Sequence, residues 1–287
     1  AERNSRADRA DAYWNRAQVG YSIEGEDRVP DGSCSEKIAR NCRKVSFPGN
    51  FQSHAIMLRG RIMMLNRHCF LRRTSAGVGY IPDGTVFHVT VPDRERDIPV
   101  RFNRASLREN RFNDQVTDVA FYELPANNAL GFDFSPDITR FFISDAELDD
   151  AVSFTGARLV GATDDFEVKG RSVGLVSRVD ELAVWKAAVV TEDGAGVRGE
   201  NDTVTPTLWT YGVTKSGECG KVLMTDEKQP RVLGMHCFLR TSRTTGERGG
   251  CAAVITRDEL DDALTGFDIT AQIADMTMDD PLIHAGE

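Results

Sequence analysis

The segment Thr214–Gly220 (Thr-Lys-Ser-Gly-Glu-Cys-Gly) has the residue types of a turn that exposes a nucleophile. Cys219 supplies a thiol, which becomes a strong nucleophile once a base removes its proton. Gly217 and Gly220 flank it, and glycine permits a sharp turn and close approach of the backbone. The same turn would aim backbone N–H groups at a developing oxyanion. The segment therefore predicts a reactive cysteine rather than a core cysteine.

A base and an acid for this thiol precede it in the chain. His68 lies at the end of an apolar run, and Asp118 opens the alternating run 118–125. The order histidine, aspartate, nucleophile is one of three chain orders in which such triads occur. The interval also holds other acids, so the identity of the orienting acid stays open, and a Cys–His pair alone is the alternative. Among these other acids are Asp97, Glu109 and Asp114.

Two motifs resemble those of the 3C-like cysteine proteases of picornavirus-like viruses. Gly217-Glu218-Cys219-Gly220 resembles the G-x-C-G motif of that family, and Gly234-Met235-His236 resembles its downstream G-x-H motif. The resemblance covers residues 50–265, and the spread of the candidate residues is similar to that of insect picorna-like viruses of the iflavirus and dicistrovirus type. It implies an all-β, chymotrypsin-like fold of two six-stranded antiparallel β-barrels. The active site would lie in the cleft between them.

The resemblance also implies a role for each candidate residue in a viral polyprotein-processing cysteine endopeptidase. A neutral imidazole and a hydroxyl would recognise the side-chain amide of Gln before the cut, and a small residue would follow the cut. By this resemblance Cys219 would be the nucleophile, His68 the general base and acid, and Asp118 the orienting acid. The oxyanion would be bound by the backbone N–H groups of Gly217, Glu218 and Cys219. The specificity pocket would be formed by Thr214, Gly234 and His236.

The chain ends suggest a second residue type before the cut. If the protein releases itself from a precursor, Glu287 preceded one cut and Ala1 followed another. We therefore expect the enzyme to accept Glu as well as Gln.

The pattern of short runs predicts the architecture. Two series of β-type runs, over 51–142 and 171–256, are separated by turn formers, which indicates two all-β units. Ala7, Ala10, Trp14 and Ala17 have helical spacing, which predicts a helix over 5–18. The predicted division is an N-terminal helical extension (1–48), a first barrel (49–153), a linker (154–170), a second barrel (171–265) and a C-terminal tail (266–287).

A similar short segment lies at the end of each of the two series of β-type runs. Segments 144–152 and 256–264 both open with Ser or Thr followed three residues later by Glu. This is the capping-box pattern of a helix N-terminus. Each segment is predicted to form a short helix that closes one series.

Composition narrows the classes of partner. The net charge of −9 and the segment 131–138, which lacks Lys and Arg, argue against RNA binding. No apolar run approaches the roughly 18 residues that span a bilayer, and the N-terminus has no apolar signal core. We expect a protein of the host-cell cytoplasm with free thiols, no metal and no cofactor. Its partners would be the viral polyprotein and host proteins.

Two other functional classes stay open. One is a catalytically silent, protease-like module that binds RNA or precursor proteins, through a stripe of arginines that more often marks a solvated face. The other is a zinc-binding or redox protein that uses the pairs His68-Cys69 and His236-Cys237. His54 and His88 are interpreted as strand histidines without a chemical role. The stripe consists of Arg101, Arg104, Arg108 and Arg111.

Overall fold

The computed structural model describes residues 27–28, 34–49, 51–92, 95–126, 135–191, 196–212, 214–215, 217–241 and 248–278. The predicted helix over 5–18 and the terminal residues Ala1 and Glu287 lie outside these ranges. The segment 131–138 is described only from Ser135 onward.

The first half of the chain is built mainly from short strands. A 3-10 turn at Arg67–Phe70 joins the fourth strand to the fifth, and another lies at Arg104–Ser106. The elements are β1 (Asp27–Arg28), helix α1 (Cys34–Ala39), β2 (Cys42–Phe47), β3 (Phe51–Arg59), β4 (Ile62–Asn66), β5 (Leu71–Thr74), β6 (Gly77–Tyr80), β7 (Val86–Val91), β8 (Arg96–Arg101), β9 (Leu107–Phe112) and β10 (Gln115–Glu123).

The second half repeats this plan after a 3-10 turn at Thr139–Phe141. Its elements are α2 (Asp145–Asp150), β11 (Ser153–Phe154), β12 (Ala157–Ala162), β13 (Val168–Ser172), β14 (Val176–Val179), β15 (Ala183–Thr191), β16 (Gly196–Thr205), β17 (Leu208–Tyr211), β18 (Val222–Thr225), β19 (Val232–Thr241), β20 (Arg248–Val254) and α3 (Arg257–Met278).

These strands form two curled, largely antiparallel sheets, which confirms the predicted all-β, two-barrel fold class. Within the described residues one sheet has 11 strands and the other has nine, rather than the six per barrel expected. The larger sheet runs β6-β5-β15-β16-β10-β4-β3-β2-β7-β8, with β9 paired to β10. The smaller sheet runs β1-β13-β12-β18-β19-β20-β17-β14-β11.

One hairpin of the second half belongs to the sheet of the first half. β15 and β16 pair with each other, and β16 also pairs in parallel with β10 through Val204 and Thr117. β15 pairs in parallel with β5 at Val190 and Thr191. The second series of strands therefore contributes to both sheets.

The sheets do not follow the expected domain boundaries. The segment 154–170, expected as a linker, contains β12 and the first residues of β13, and Leu159 and Val160 are buried there. The polar turn at 163–167 hides this apolar run in the sequence. β2 begins at Cys42, inside the predicted N-terminal extension. Helix α3 continues to Met278, into the predicted tail.

Three apolar clusters fill the protein. One is aromatic and lies within the larger sheet, with Phe70 packed against Phe87 and Tyr122. Another surrounds Trp209 within the smaller sheet. The third joins the two sheets, because Leu58 of β3 shares it with Met235 of β19. Burial of apolar surface is the main favourable term in folding, so this shared cluster fixes one sheet against the other.

The two predicted capping boxes are present, and they meet in space. Ser144 accepts from the Glu147 N–H at 3.2 Å, and the Glu147 carboxylate accepts from the Ser144 N–H at 2.9 Å. Thr256 and Glu259 repeat this exchange at the start of α3. The two helix starts are joined by a bond of 2.8 Å from the Asp145 N–H to the Asp258 carboxylate.

The capping box of α2 yields a stability prediction. Ser144→Ala removes the acceptor for the Glu147 N–H, so we expect the free energy of unfolding to fall by about 1 kcal/mol. Urea denaturation followed by circular dichroism measures this change. Ser153→Ala, at an exposed position on β11, is the control and should change it by less than about 0.5 kcal/mol. Equal losses in the two variants would contradict the capping role.

Candidate active site

His68 lies on the 3-10 turn that follows β4, against the neighbouring strand β10. Its Nδ1 is 2.8 Å from Oδ2 of Asp118, and its backbone N–H donates to Oδ1 at 3.0 Å. The pairing of Val119 with Asn66 brings this carboxylate next to the turn. Asn66 Nδ2 also donates to Asp118 Oδ2, at 3.1 Å. The Asp118 carboxylate thus holds His68 through both its ring and its backbone N–H.

The other acids of the interval face elsewhere. Glu109 is bonded to Arg67 at 3.2 Å and to Arg111 at 3.0 Å. Asp97 accepts from the hydroxyl of Thr90, and Asp114 stands in an exposed turn. Asp118 is therefore the member of this set that contacts His68, although β10 begins before it, at Gln115.

Cys219 belongs to the other sheet, in the loop that joins β17 to β18. Its thiol lies near enough to the His68 ring to help raise the pKa of the imidazole. Because Nδ1 is occupied by Asp118, this contact falls to Nε2. The sulfur also lies 3.5 Å from the carbonyl oxygen of Cys237. His68, Asp118 and Cys219 are brought together across the two sheets, in an arrangement that allows His68 to take the thiol proton.

Two opposed influences act on the His68 pKa. Burial lowers it, because the charged imidazolium loses water. The Asp118 carboxylate, together with Cys69 and Cys219, outweighs burial, and the His68 pKa lies well above 6.5. A partner that stabilises the imidazolium supports His68 as an acceptor of the thiol proton.

The backbone of the nucleophile loop is fixed by glycine geometry and by strand β3. Gly217 and Gly220 have φ of 86° and 81°. A Cβ on Gly220 would lie 1.9 Å from the carbonyl oxygen of His54, so only glycine fits there. The Cys219 carbonyl accepts from the His54 N–H at 2.9 Å and from Ser53 Oγ at 3.0 Å. These contacts set the direction of the peptide units around the thiol.

The loop also presents backbone donors, as the sequence suggests. In the part of the chain that the structure describes, the N–H groups of Glu218 and Cys219 donate to no acceptor. The next amide, of Gly220, is bonded to the His236 carbonyl at 2.8 Å. Two amides adjacent to the thiol are thus available to an oxyanion, while Gly220 holds the loop on β19.

His54 is a site residue that the sequence does not reveal. Its buried ring lies beside the backbone of Gly217, and its Nδ1 has no hydrogen-bond partner within the described part of the chain. Burial, with Lys221 and Lys44 nearby, lowers its pKa to about 3, so the ring is neutral at physiological pH. His54 therefore contacts the nucleophile loop through its backbone N–H and through its neutral ring.

The predicted specificity residues Thr214 and His236 lie next to each other and beside the Cys219 loop, where they would line the predicted pocket. Thr214 Oγ1 and His236 Nε2 are 3.5 Å apart, and Tyr211 Oη is bonded to His236 Nδ1. Burial is the main cause that lowers the His236 pKa to about 4. Gly234 lies on the same strand with its Cα against the Ala253 carbonyl, where a Cβ would approach to 1.8 Å. The pocket is thus lined by a neutral imidazole and a hydroxyl.

Glu218 has a buried side chain that its place in the motif does not predict. Arg171 of β13 donates to both of its oxygens, at 3.1 and 2.9 Å. Thr214 Oγ1 donates at 2.6 Å and the Lys215 N–H at 2.8 Å. Burial alone would raise the pKa of Glu218, but these donors lower it to about 2. Glu218 is therefore an anion beneath the pocket.

The remaining functional classes find little support in the surrounding structure. Arg104 lies over the ring of Tyr80 at 4.3 Å, and Arg108 over that of Phe267 at the same distance. These are two of the four arginines of the predicted stripe, and each has an aromatic partner within the chain. All six cysteines are free thiols, and the described residues contain no group of three or more His, Cys, Asp or Glu placed to hold a metal ion. None of the described helices is long and apolar enough to span a membrane.

The coupling of His68 to Asp118 can be measured directly. In isotope-labelled protein we expect an NMR titration to place the His68 pKa well above 6.5. Asp118→Asn removes the charge that raises the pKa and leaves burial, so the value should fall below 6.5. Asp97→Asn, which alters an acid bonded to Thr90, is the control and should leave the titration unchanged. A His68 that titrates alike in all three proteins would contradict the interaction.

No protein-family model and no curated protein sequence matches the chain. Among solved structures, the chain is similar to the HRV-C 3C protein with rupintrivir, at 17% identity and a TM-score of 0.48, over 76% of this chain and 93% of that one. It is similar to tobacco etch virus protease complexed with substrate, at 13% identity and 0.46, over 78% and 82%. It is also similar to the Rv3671c protease in its inactive form, at 13% and 0.45, over 86% and 98%.

Proposed function

We propose that this protein is a cysteine endopeptidase that processes a viral polyprotein in the host-cell cytoplasm. It would cleave after Gln and before a small residue. The observation that carries the proposal is the 2.8 Å hydrogen bond between His68 Nδ1 and Asp118, in a histidine whose pKa is also raised by the neighbouring Cys219 thiol. Nucleophile, base and orienting acid are the parts that acyl transfer by a thiol requires.

The proposed reaction follows from these contacts. His68 Nε2 takes the thiol proton, and the sulfur attacks the carbonyl carbon of the scissile bond. The negative oxygen is received by the backbone N–H groups of Glu218 and Cys219, two of the three donors implied for the motif, of which Gly217 is the third. His68 then gives its proton to the leaving amine, and a thioester remains. Water, activated by the same imidazole, hydrolyses the thioester and restores the thiol.

Asp118 contributes by charge and by orientation. Its two bonds to His68 keep Nδ1 protonated and Nε2 directed at the thiol. The imidazolium formed during the reaction is stabilised by the adjacent carboxylate. These contacts favour a triad over a Cys–His pair acting alone. They also favour an active enzyme over a silent module, because every part of the proposed machinery has its partner.

The predicted pocket favours Gln over Glu before the cut, in contrast to the acceptance of both residues that the chain ends suggest. The pKa of Tyr211 is raised well above 10 by burial, so its hydroxyl keeps its proton and donates to His236 Nδ1. His236 Nε2 then carries a hydrogen and can donate to the carbonyl of a Gln side chain. The Gln amide can in turn donate to Thr214 Oγ1. A carboxylate has no hydrogen to give and meets a neutral imidazole, so it is the weaker partner.

The nucleophile is tested with a peptide that contains Gln-Gly. We expect the wild type to cleave it and Cys219→Ala to lose cleavage below detection, because the attacking sulfur is gone. Mass spectrometry of the products measures both. Cys34→Ala is the matched control, because Cys34 is the other partly exposed thiol, and it should keep activity. Equal cleavage by wild type and Cys219→Ala would remove Cys219 from its role.

The preference for the residue before the cut is tested with paired peptides. We expect kcat/KM for the Gln peptide to exceed that for the otherwise identical Glu peptide about 100-fold or more at pH 7. The physical reason is the neutral state of His236, whose pKa of about 4 is far below the assay pH. Equal values for the two peptides would contradict this account of the pocket.

A further inference from the structure

The ion pair between Arg171 and Glu218 is the most deeply buried charge pair around the pocket wall. The two side chains are 4% and 3% exposed. A buried ion pair is weak evidence for stability, because the loss of hydration of both charges can exceed their attraction. The position of the pair therefore calls for a role beyond holding β13 to the nucleophile loop.

The pair controls the hydroxyl of Thr214. A carboxylate only accepts hydrogen bonds, so the 2.6 Å contact between Thr214 Oγ1 and Glu218 Oε2 commits the hydroxyl hydrogen to Glu218. What Thr214 Oγ1 then offers to the pocket is a lone pair. The Lys215 N–H and Arg171 hold the carboxylate in place, so Thr214 cannot easily turn its hydrogen toward a ligand.

The opposite wall of the pocket is fixed with the opposite polarity. Tyr211 occupies His236 Nδ1 and leaves Nε2 as a donor. The Nε2 hydrogen and the Thr214 oxygen face each other at 3.5 Å, which allows only a weak hydrogen bond between them, so the two groups would offer a ligand one donor and one acceptor. A primary amide has the complementary pair of groups, whereas a carboxylate has two acceptors. One of its oxygens would face the lone pair of Thr214 without a hydrogen between them.

We propose that Glu218 is a positioning residue that makes the pocket exclude acidic side chains, by holding the Thr214 hydroxyl as an acceptor. This inference rests on the proposed role of Thr214 and His236 in binding the residue before the cut. It assigns to the variable position of the G-x-C-G motif a specificity role exerted through its side chain. Glu218 acts through Thr214 and touches no reacting atom.

Hydrogen-bond polarity, rather than net charge, carries the effect. Arg171 contacts the carboxylate directly, and Lys221 Nζ lies 3.5 Å from Glu218 Oε1. These two cations offset the negative charge of Glu218 as seen from the pocket. Neither cation changes the orientation of the Thr214 hydroxyl, whose hydrogen still points to Glu218.

The experiment measures peptide binding to the Cys219→Ala protein by calorimetry at pH 7, so it does not depend on turnover. The two peptides are identical except for Gln or Glu before the cleavage position. We expect the Gln peptide to bind about 10-fold or more tightly. Arg171→Met with Glu218→Met replaces the pair by apolar residues of similar length, frees the Thr214 hydroxyl to donate, and should bring the ratio close to one.

Two further variants separate the effect of hydrogen-bond polarity from the effects of net charge and of losing an ion pair. Glu218→Gln keeps an oxygen that can accept from Thr214 and Lys215, so it should retain most of the preference although its charge is lost. If this variant fails to fold because Arg171 is left unpaired, the double Met variant still decides the question. Arg61→Met with Glu123→Met removes another Arg–Glu pair, bonded at 3.0 Å, and should leave the ratio unchanged.

Several outcomes would overturn the inference. They are an unchanged ratio in the Arg171→Met, Glu218→Met protein, an equal loss in the Arg61→Met, Glu123→Met control, and an equal loss in Glu218→Gln. Absence of binding by either peptide would also overturn it, because the pocket would not be a peptide site. Selective binding together with failure of the wild type to cleave would count against the proposed endopeptidase alone.

Discussion

Two hydrogen bonds between the sheets position the thiol relative to its base. The Cys219 carbonyl accepts from the His54 N–H and from Ser53 Oγ, both on β3. His68 belongs to the same sheet as β3, whereas Cys219 follows a strand of the other sheet. A small slip between the sheets would therefore separate sulfur from imidazole. The apolar cluster shared by Leu58 and Met235 resists such a slip, and the bonds to Cys219 convert that packing into a defined position of the thiol.

The site contains two buried carboxylates, and each is saturated with donors. Asp118 receives bonds from the His68 ring, the His68 N–H and Asn66. Glu218 receives bonds from Arg171, Thr214 and the Lys215 N–H. A buried anion is tolerated only when such partners replace water. The same hydrogen bonds fix the orientation of His68 and Thr214, the groups that would meet a substrate. The partners that make a buried charge tolerable therefore also keep the site in one geometry.

The sequence is sufficient to predict the parts of the site that are local in the chain. The glycines around Cys219 and the spacing of His236 from it are short-range patterns, and both capping boxes can be predicted in the same way. Asp118 could be preferred over Glu109 only by its place beside a strand. Arg171 and Ser53 cannot be assigned to the site from the sequence, because their partners are distant in the chain. Glu218 is 47 residues from Arg171, and Cys219 is 166 residues from Ser53. Strand β12 was missed because the polar turn after it resembles a linker.

The membership of hairpin β15–β16 in the first sheet has a consequence for how the chain folds during synthesis. Strand β10 ends at Glu123, yet its parallel neighbour includes Val204, so the sheet that holds His68 is completed only after residue 205 has emerged. Contacts of such long sequence separation slow folding. Cys219 emerges shortly afterwards. The completion of the sheet that holds His68 and the appearance of the nucleophile Cys219 are therefore close together during synthesis.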